Sequence, residues 1–366
     1  MLPDWKRACY AENNPRLVEV PYVRAYRILP SRRQVAEQCL PSTVTEPGYM
    51  ERKDENTVTR VMAGADWEDP VLGLYSVIEE SARLLEIPCS REKVLPILSA
   101  YGGDLADAII AFRIATNAHH AGELDCRFTI PQGVDPYELA VSNSFTARTD
   151  HPVADLLSDI RDCCPIDSYG IDFGVVGGFK KIWLVLPRDE LQALSKLAGI
   201  PSMPRSLGES AGFFARHGLG DTTGLLGIDY RYRTVNVYLP PAQRFEPETI
   251  RSMIREVDQA DPSEQMIKIG QMAFGVYVTL NWDSLKLERI CFAVGTSDPT
   301  ELPVPLDPVI LRFVRHIQRS NGGRRFVYAV ASSPDGEYYK LQSYYQWRPE
   351  VLDIMQLSPG ATKDLV

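Results

Sequence analysis

Seven stretches of the chain alternate, residue by residue, between apolar side chains and side chains that can grip an anion or face an aromatic ring. The run from Thr234 to Leu239 is the cleanest. Val235, Val237 and Leu239 fall on one side and Thr234, Asn236 and Tyr238 on the other, because a strand repeats every two residues. The same split puts Asp125 with Arg127, Asp172 with Gly174, Lys181 with Trp183 and Gly275 with Tyr277. It also puts Arg289 with Cys291, and Lys340 with Gln342 and Tyr344. Fixed cations, amides and aromatic faces drawn from many strands can hold a diphosphate-type anion beside a flat or cationic organic group. A face that was merely solvated would have no use for Trp183, Tyr238, Tyr277 and Tyr344. It reads as the lining of a chamber.

The elements that must carry these residues come in pairs. Strand patterns near 107–116 and 123–130, 168–176 and 179–187, 224–230 and 233–239, 272–280 and 286–295, and 325–332 and 337–346 make about ten strands. Short turns such as Gly177-Gly178, Trp282-Asp283-Ser284 and Pro334-Asp335-Gly336 make the partners antiparallel. Helical patterns intervene. Asp69-Pro70 opens one that carries Leu74, Ile78, Ala82 and Leu85, and others lie near 135–142, 152–163, 189–198, 206–217, 247–257 and 307–319. The apolar strand faces must meet the apolar helix stripes, so the polar faces point away from the helices. Closing the sheet removes its edges and keeps the aromatic side chains out of water. The expected fold is therefore α+β: a ten-stranded antiparallel barrel inside a ring of helices, spanning residues 66–366. Residues 1–65, rich in proline and charge, read as an appendage partly disordered or draped on the surface, with one weak strand signal at 56–61 and Met62 as an alternative start.

Composition narrows the partners. A net charge of -9 argues against nucleic acid, which is met by broad basic surfaces. No run approaches the roughly 18 apolar residues that span a bilayer, and the N-terminus lacks the apolar core of a signal peptide. The 7 cysteines show no CxxC spacing, which fits reduced thiols in a cytoplasm. A cytoplasmic monomer is expected. Other motifs are discounted. Gly218–Gly224 has the wrong spacing for a dinucleotide loop, no phosphate-loop or nucleophile-elbow sequence occurs, and His119-His120 with Glu123 reads as a hairpin loop.

Five segments carry a resemblance: Gly177-Gly178-Phe179-Lys180-Lys181, Ile200-Pro201-Ser202-Met203-Pro204, Thr279-Leu280-Asn281-Trp282, Ile290-Cys291-Phe292-Ala293-Val294 and Glu337-Tyr338-Tyr339-Lys340-Leu341. From about residue 70 to 355 the chain resembles the soluble aromatic prenyltransferases of the ABBA type, the family that includes the naphterpin- and clorobiocin-pathway enzymes. The resemblance implies a barrel of repeated αββα units in which an allylic diphosphate ionises and its isoprenoid is transferred to an aromatic small molecule in secondary metabolism. It implies that Lys181, Asn236, Tyr277, Arg289 and Lys340, joined by Arg127, bind the diphosphate, with Lys181, Arg289 and Lys340 stabilising the departing charge. Asp172 or a tyrosine is expected to hold a water for the final proton. Trp183, Tyr238 and Tyr344 match acceptor-pocket and cation-shielding positions, joined by Phe112, Leu225, Phe274, Gly275, Ala293 and Gln342. In a strict count along the strand, Phe274 falls on the opposite face.

Asp125 matches the aspartate that helps hold magnesium in the metal-dependent members. Here Arg127 shares its face and can supply a metal's positive charge, and Ile114 takes a neighbouring serine position. The expectation is therefore no required cofactor, with Asp125 as the metal ligand only if magnesium is used. Dimethylallyl diphosphate is the expected donor, with geranyl diphosphate next. Gly224 and Gly275 in place of bulkier family residues suggest a polycyclic acceptor such as a naphthoquinone or a phenazine. The competing reading is a non-catalytic barrel that binds an aromatic or isoprenoid ligand.

Overall fold

The computed structural model describes residues 59–60, 69–116, 122–318 and 325–347. The expectations for an appendage over residues 1–65, Thr59 and Arg60 apart, for Met62 and for His119-His120 lie outside the described residues. Among the described residues thirteen strands run in chain order: β1 (Thr59–Arg60), β2 (Ile110–Ala115), β3 (Asp125–Pro131), β4 (Ser168–Gly174), β5 (Gly178–Val185), β6 (Gln192–Ala193), β7 (Thr222–Thr223), β8 (Leu225–Asp229), β9 (Thr234–Leu239), β10 (Gly275–Asn281), β11 (Arg289–Thr296), β12 (Phe326–Ser333) and β13 (Gly336–Trp347). Strands β2 to β5 and β8 to β13 follow one another by antiparallel pairing, and β13 pairs back onto β2 to close a ring. β1 adds to the far end of β13, opposite Trp347 and Gln346, while β6 and β7 pair only with each other.

The helices are α1 (Pro70–Leu84), α2 (Arg91–Tyr101), α3 (Pro136–Ser142), α4 (Val153–Cys163), α5 (Leu194–Ala198), α6 (Ser206–Glu209), α7 (Ala211–Arg216), α8 (Pro247–Glu256), α9 (Glu264–Met272) and α10 (Pro308–Gln318). α1 begins where the sequence says it should. The Asp69 carboxylate accepts from the Val71 and Leu72 amides at 2.9 and 3.2 Å, and Pro70 takes the first helical position. Two helices differ from expectation in length: the one near 189–198 shrinks to α5 behind β6, and the one near 206–217 breaks at Ser210 into α6 and α7. α2 and α9 are unanticipated. Pro96 interrupts the apolar period of α2, yet its Val94, Ile97 and Leu98 are buried.

Between the ring of strands and the helices lies the dry core. Ile310, Phe313 and Val314 of α10, Ile250 and Met253 of α8, and the outward strand residues Ile182, Val237, Val278 and Phe292 all share one cluster. Lateral closure leaves the opposite strand face nowhere to point but inward. Gln346 ties the end of β13 to the loop before β2, donating through one amide nitrogen to the carbonyls of Leu105, Ala106 and Ala108.

Phe112 corrects the expected pocket. It lies on β2 between Ala111 and Arg113, in phase with Ile110 and Ile114, so its ring packs outward against Tyr345 at 5.7 Å and is 1% exposed. Ile114 also faces the helices and has no bearing on an interior metal. Phe112→Ala should therefore cost about 3–5 kcal/mol in urea unfolding, as for an emptied core site. A loss under 1 kcal/mol, as at an open lining position, would contradict this placement.

Candidate active site

Register carries the interior side chains around the ring in rows. One row runs through Ala111, Arg127, Asp172, Lys181 and Asp229 on β2, β3, β4, β5 and β8. A second joins Gly170, Trp183, Gly227, Asn236, Thr279 and Arg289. A third takes Tyr238, Tyr277, Cys291, Ala331 and Tyr338. Gly275, Ala293, Ala329 and Lys340 follow in a fourth, and Gln342, Arg113 and Asp125 lie together in a fifth. Residues predicted from seven separate strands therefore share one interior.

The charges divide into two groups. In the first, cations and carboxylates are matched. Asp125 accepts from Arg113 at 2.6 Å and from the Lys180 ammonium. Asp172 accepts from Arg127 at 3.0 Å and from the Trp183 indole at 3.2 Å, with Arg113 at 3.4 Å. Burial pushes the Asp172 carboxyl up, but Arg113 and Arg127 outweigh it and hold the group below its ordinary value. A carboxylate so held is a poor proton acceptor, which counts against Asp172 as a base. Its Oδ1 is buried without a partner.

The second group is unmatched. Arg289 donates to Thr279 Oγ1 at 3.0 Å and to the Tyr338 hydroxyl at 2.9 Å. Lys340 Nζ reaches Cys291 Sγ at 4.0 Å and lies 5.0 Å from the Tyr338 ring centroid. Neither cation pairs with a carboxylate among the described residues. Lys181 stands between the groups, 3.4 Å from Asp229. Burial, with repulsion from Arg113 and Arg289 added, outweighs Asp229 and Asp172 and lowers it to about 8.

Aromatic rings line the same space. Trp183 meets Tyr238 at 4.8 Å between centroids, and Tyr238 meets Tyr277 at 4.1 Å. Arg127 lies 3.7 Å from the Trp183 ring centroid. Gly227 permits this packing, since a Cβ there would stand 3.3 Å from both Lys181 Cδ and the Trp183 ring. Across the lumen the wall is small-chained, built from Ala115, Ala293, Ala329 and Ala331, with Phe274, Tyr277 and Tyr344 packed against it. Phe274 joins this wall despite its parity because it sits in the bend before β10, where strand alternation does not apply; its amide donates to the Ala293 carbonyl at 2.9 Å. Leu225 and Gln342 are half-buried on inward rows. Gly275 does not simply leave space, because a Cβ there would touch the Tyr277 ring at 3.2 Å. At Gly224 a Cβ would instead meet Leu191, an exposed loop residue, at 2.9 Å.

Five polar interior residues escaped the sequence reading. Arg113, Thr279 and Tyr338 lie two residues from recognised positions or opposite an apolar triplet, so simple alternation reveals them. Asp229 required the β5–β8 register. Lys180 was hidden by a β-bulge: Asp172 pairs with Lys181 and Phe173 with Phe179, so Lys180 is the extra residue and also reaches the interior charges.

A family model described as aromatic prenyltransferase Orf2 matches residues 71–354. The chain belongs to this aromatic prenyltransferase family. It is 49% identical to a flaviolin linalyltransferase of Streptomyces virginiae over 76% of this chain and 93% of that one. It is 46% identical to a 5,10-dihydrophenazine-1-carboxylate 9-dimethylallyltransferase of Streptomyces anulatus over 78% and 97%. A furaquinocin biosynthesis prenyltransferase of Streptomyces sp. (strain KO-3988) is 48% identical over 76% and 91%. Among solved structures, a 6-dimethylallyl tryptophan synthase superposes with a TM-score of 0.53 at 12% identity, covering 82% of this chain and all of that one, and so shares the barrel fold. The protein is thus an enzyme that moves an isoprenoid onto an aromatic small molecule. No helix among the described residues is long and apolar enough to cross a membrane.

In this prenyltransferase the depressed Lys181 gives a pH signature. Its ordinary value is 10.5, so the empty enzyme loses this ammonium as pH rises through about 8. If Lys181 meets the donor's diphosphate, the kcat/KM for that donor, which reports the free enzyme, should fall above that pH. Bound diphosphate would favour the ammonium, so kcat should hold to higher pH. Lys181→Arg, always charged, should remove the alkaline fall in kcat/KM. A wild-type profile that stays flat between about pH 7 and 10 would count against this.

Proposed function

We propose that Lys181, Arg289 and Lys340, with Asn236 and Tyr277 as neutral donors, receive the diphosphate of an allylic donor and stabilise it as it leaves. The observation that carries the proposal is the pair of interior cations, Arg289 and Lys340, that have no carboxylate partner among the described residues. Taking a cation out of water is costly without a counter-charge, and a bound polyanion provides one. A barrel that only carried a neutral aromatic ligand would gain nothing from such groups. The C–O bond to the diphosphate breaks with its electron pair on oxygen, and cations already in place stabilise that charge without reorganising. The allylic carbon is then attacked by the aromatic acceptor, and the arenium ion formed loses its proton to restore the ring.

Metal independence belongs to the same proposal. The carboxylate expected to hold magnesium is Asp125, but Arg113 and Lys180 already occupy its two oxygens. Arg113 and Arg127 also crowd Asp172. A divalent ion would need carboxylate oxygens free of such donors and would be repelled by the cations beside them. The residues present do not fit a magnesium ion, and positive charge is supplied by the side chains.

The donor we propose is dimethylallyl diphosphate. A ten-carbon donor is the second reading, favoured by the small wall of Ala293, Ala329 and Ala331 and by the linalyl group in the name of one relative. The acceptor we propose is a fused polycycle of the naphthoquinone or phenazine kind. The relatives named for flaviolin and for dihydrophenazine-1-carboxylate support this, as does the Tyr344 ring packed on the alanine wall. A single chain closes the barrel, which is consistent with a working monomer. Incubation with each diphosphate and each acceptor, in EDTA, with products read by mass and pyrophosphate release measured, tests all these points. Product should form in EDTA, and Arg289→Ala should lower kcat/KM by about a hundredfold or more with the fold intact. Turnover abolished by EDTA and restored by magnesium would overturn the metal reading, and near-normal Arg289→Ala turnover would overturn the leaving-group reading.

A further inference from the structure

Tyr338 lies on β13 directly across from Ala331, with its side chain turned inward and only 3% exposed. Its oxygen accepts from Arg289 at 2.9 Å, and its ring centroid lies 5.0 Å from the Lys340 ammonium. It therefore touches both of the interior cations that lack a carboxylate. A phenol has one proton to donate, and no group among the described residues accepts the one on Tyr338. A hydroxyl whose oxygen is polarised by a guanidinium, with its proton unspent, stands ready for an anion at the position the two cations share. We propose that Tyr338 is a direct contact of the leaving diphosphate: its hydroxyl donates to a diphosphate oxygen, its oxygen fixes Arg289, and its ring seats Lys340. The proton stays on Tyr338, since ionisation requires only that the C–O electron pair depart with the pyrophosphate oxygen.

This inference rests on the diphosphate reading above, and the experiment separates the two. The full-length wild type, Tyr338→Phe and Thr279→Val are compared, with inorganic pyrophosphate as the probe. Readouts are the thermal shift it induces, its inhibition constant, and the KM for donor and for acceptor. Thr279→Val removes the other hydrogen bond that holds Arg289, whereas Tyr338→Phe keeps the ring under Lys340 and removes only the oxygen. Tyr338→Phe should raise the pyrophosphate inhibition constant and the donor KM about tenfold or more, as expected for losing a hydrogen bond to a charged group. Acceptor KM should not move, and the rise should exceed that in Thr279→Val. If the two variants rise equally, Tyr338 merely steadies Arg289 and the direct contact is refuted. A Tyr338→Phe enzyme that binds pyrophosphate as wild type does, or loses acceptor affinity equally, also overturns it. If wild type itself shows neither shift nor inhibition, the diphosphate reading falls and this inference with it.

Discussion

A cation inside a protein is stable only when something nearby answers its charge, and the interior of this barrel answers its cations in two different ways. Arg113, Arg127 and Lys180 are met by Asp125 and Asp172, the protein's own carboxylates. Among the described residues, Arg289 and Lys340 are met only by a threonine hydroxyl, a tyrosine and a thiol. The first arrangement is complete without a ligand and supplies fixed positive charge in an ordered geometry. The second is incomplete without a ligand, which suits it to the polyanion proposed above. Preorganisation of this kind places the cost of holding the charges on folding, so that none is incurred when the anion forms.

Folding can bear that cost because the barrel is dry on its other face. Outward residues such as Ile182, Val237, Val278, Ile290 and Phe326 are fully buried beneath helices, and they fix which side of every strand turns inward. A slip of one residue in any strand would exchange the two faces. The apolar shell therefore aims the charges, since Lys181 can face inward only if Ile182 is held outward. Ring closure by β13 and β2 extends the constraint around the whole lumen, which is why side chains from distant parts of the sequence converge.

How much of this was legible follows from the same physics. Alternation alone placed Asp125, Arg127, Asp172, Lys181, Trp183, Asn236, Tyr238, Tyr277, Arg289, Lys340 and Tyr344 on inward faces, and applied more strictly it would have added Arg113 and removed Phe112. What alternation cannot show is where it fails. The bulge opposite Asp172 turns Lys180 inward beside Lys181, and the bend before β10 brings Phe274 to the lumen. Helices α6 and α7, each short and interrupted, take their positions from tertiary packing and not from their own periodicity. Pairing between charges was also beyond the sequence, because Arg127 and Asp172 lie 45 residues apart and meet only through register.

Pairing also changes the meaning of the aromatic residues. Trp183 was expected to shield an allyl cation, but Arg127 already lies over its ring at 3.7 Å, and its indole N–H is committed to Asp172. Lys181 Nζ lies 5.3 Å from the same ring centroid, so the protein's own cations already approach the indole. Trp183 therefore orders the arginine and the carboxylate. Tyr238 is enclosed between Trp183 and Tyr277. Tyr344 differs from both, for it packs against the alanine wall and makes no ring contact among the described residues. Tyr344 lies opposite Ala111 on β2, in the row that runs on to Arg127, so its ring borders the matched charges. It stands on β13, the strand that also carries Lys340 and Tyr338, so one element of the fold reaches both groups of charges.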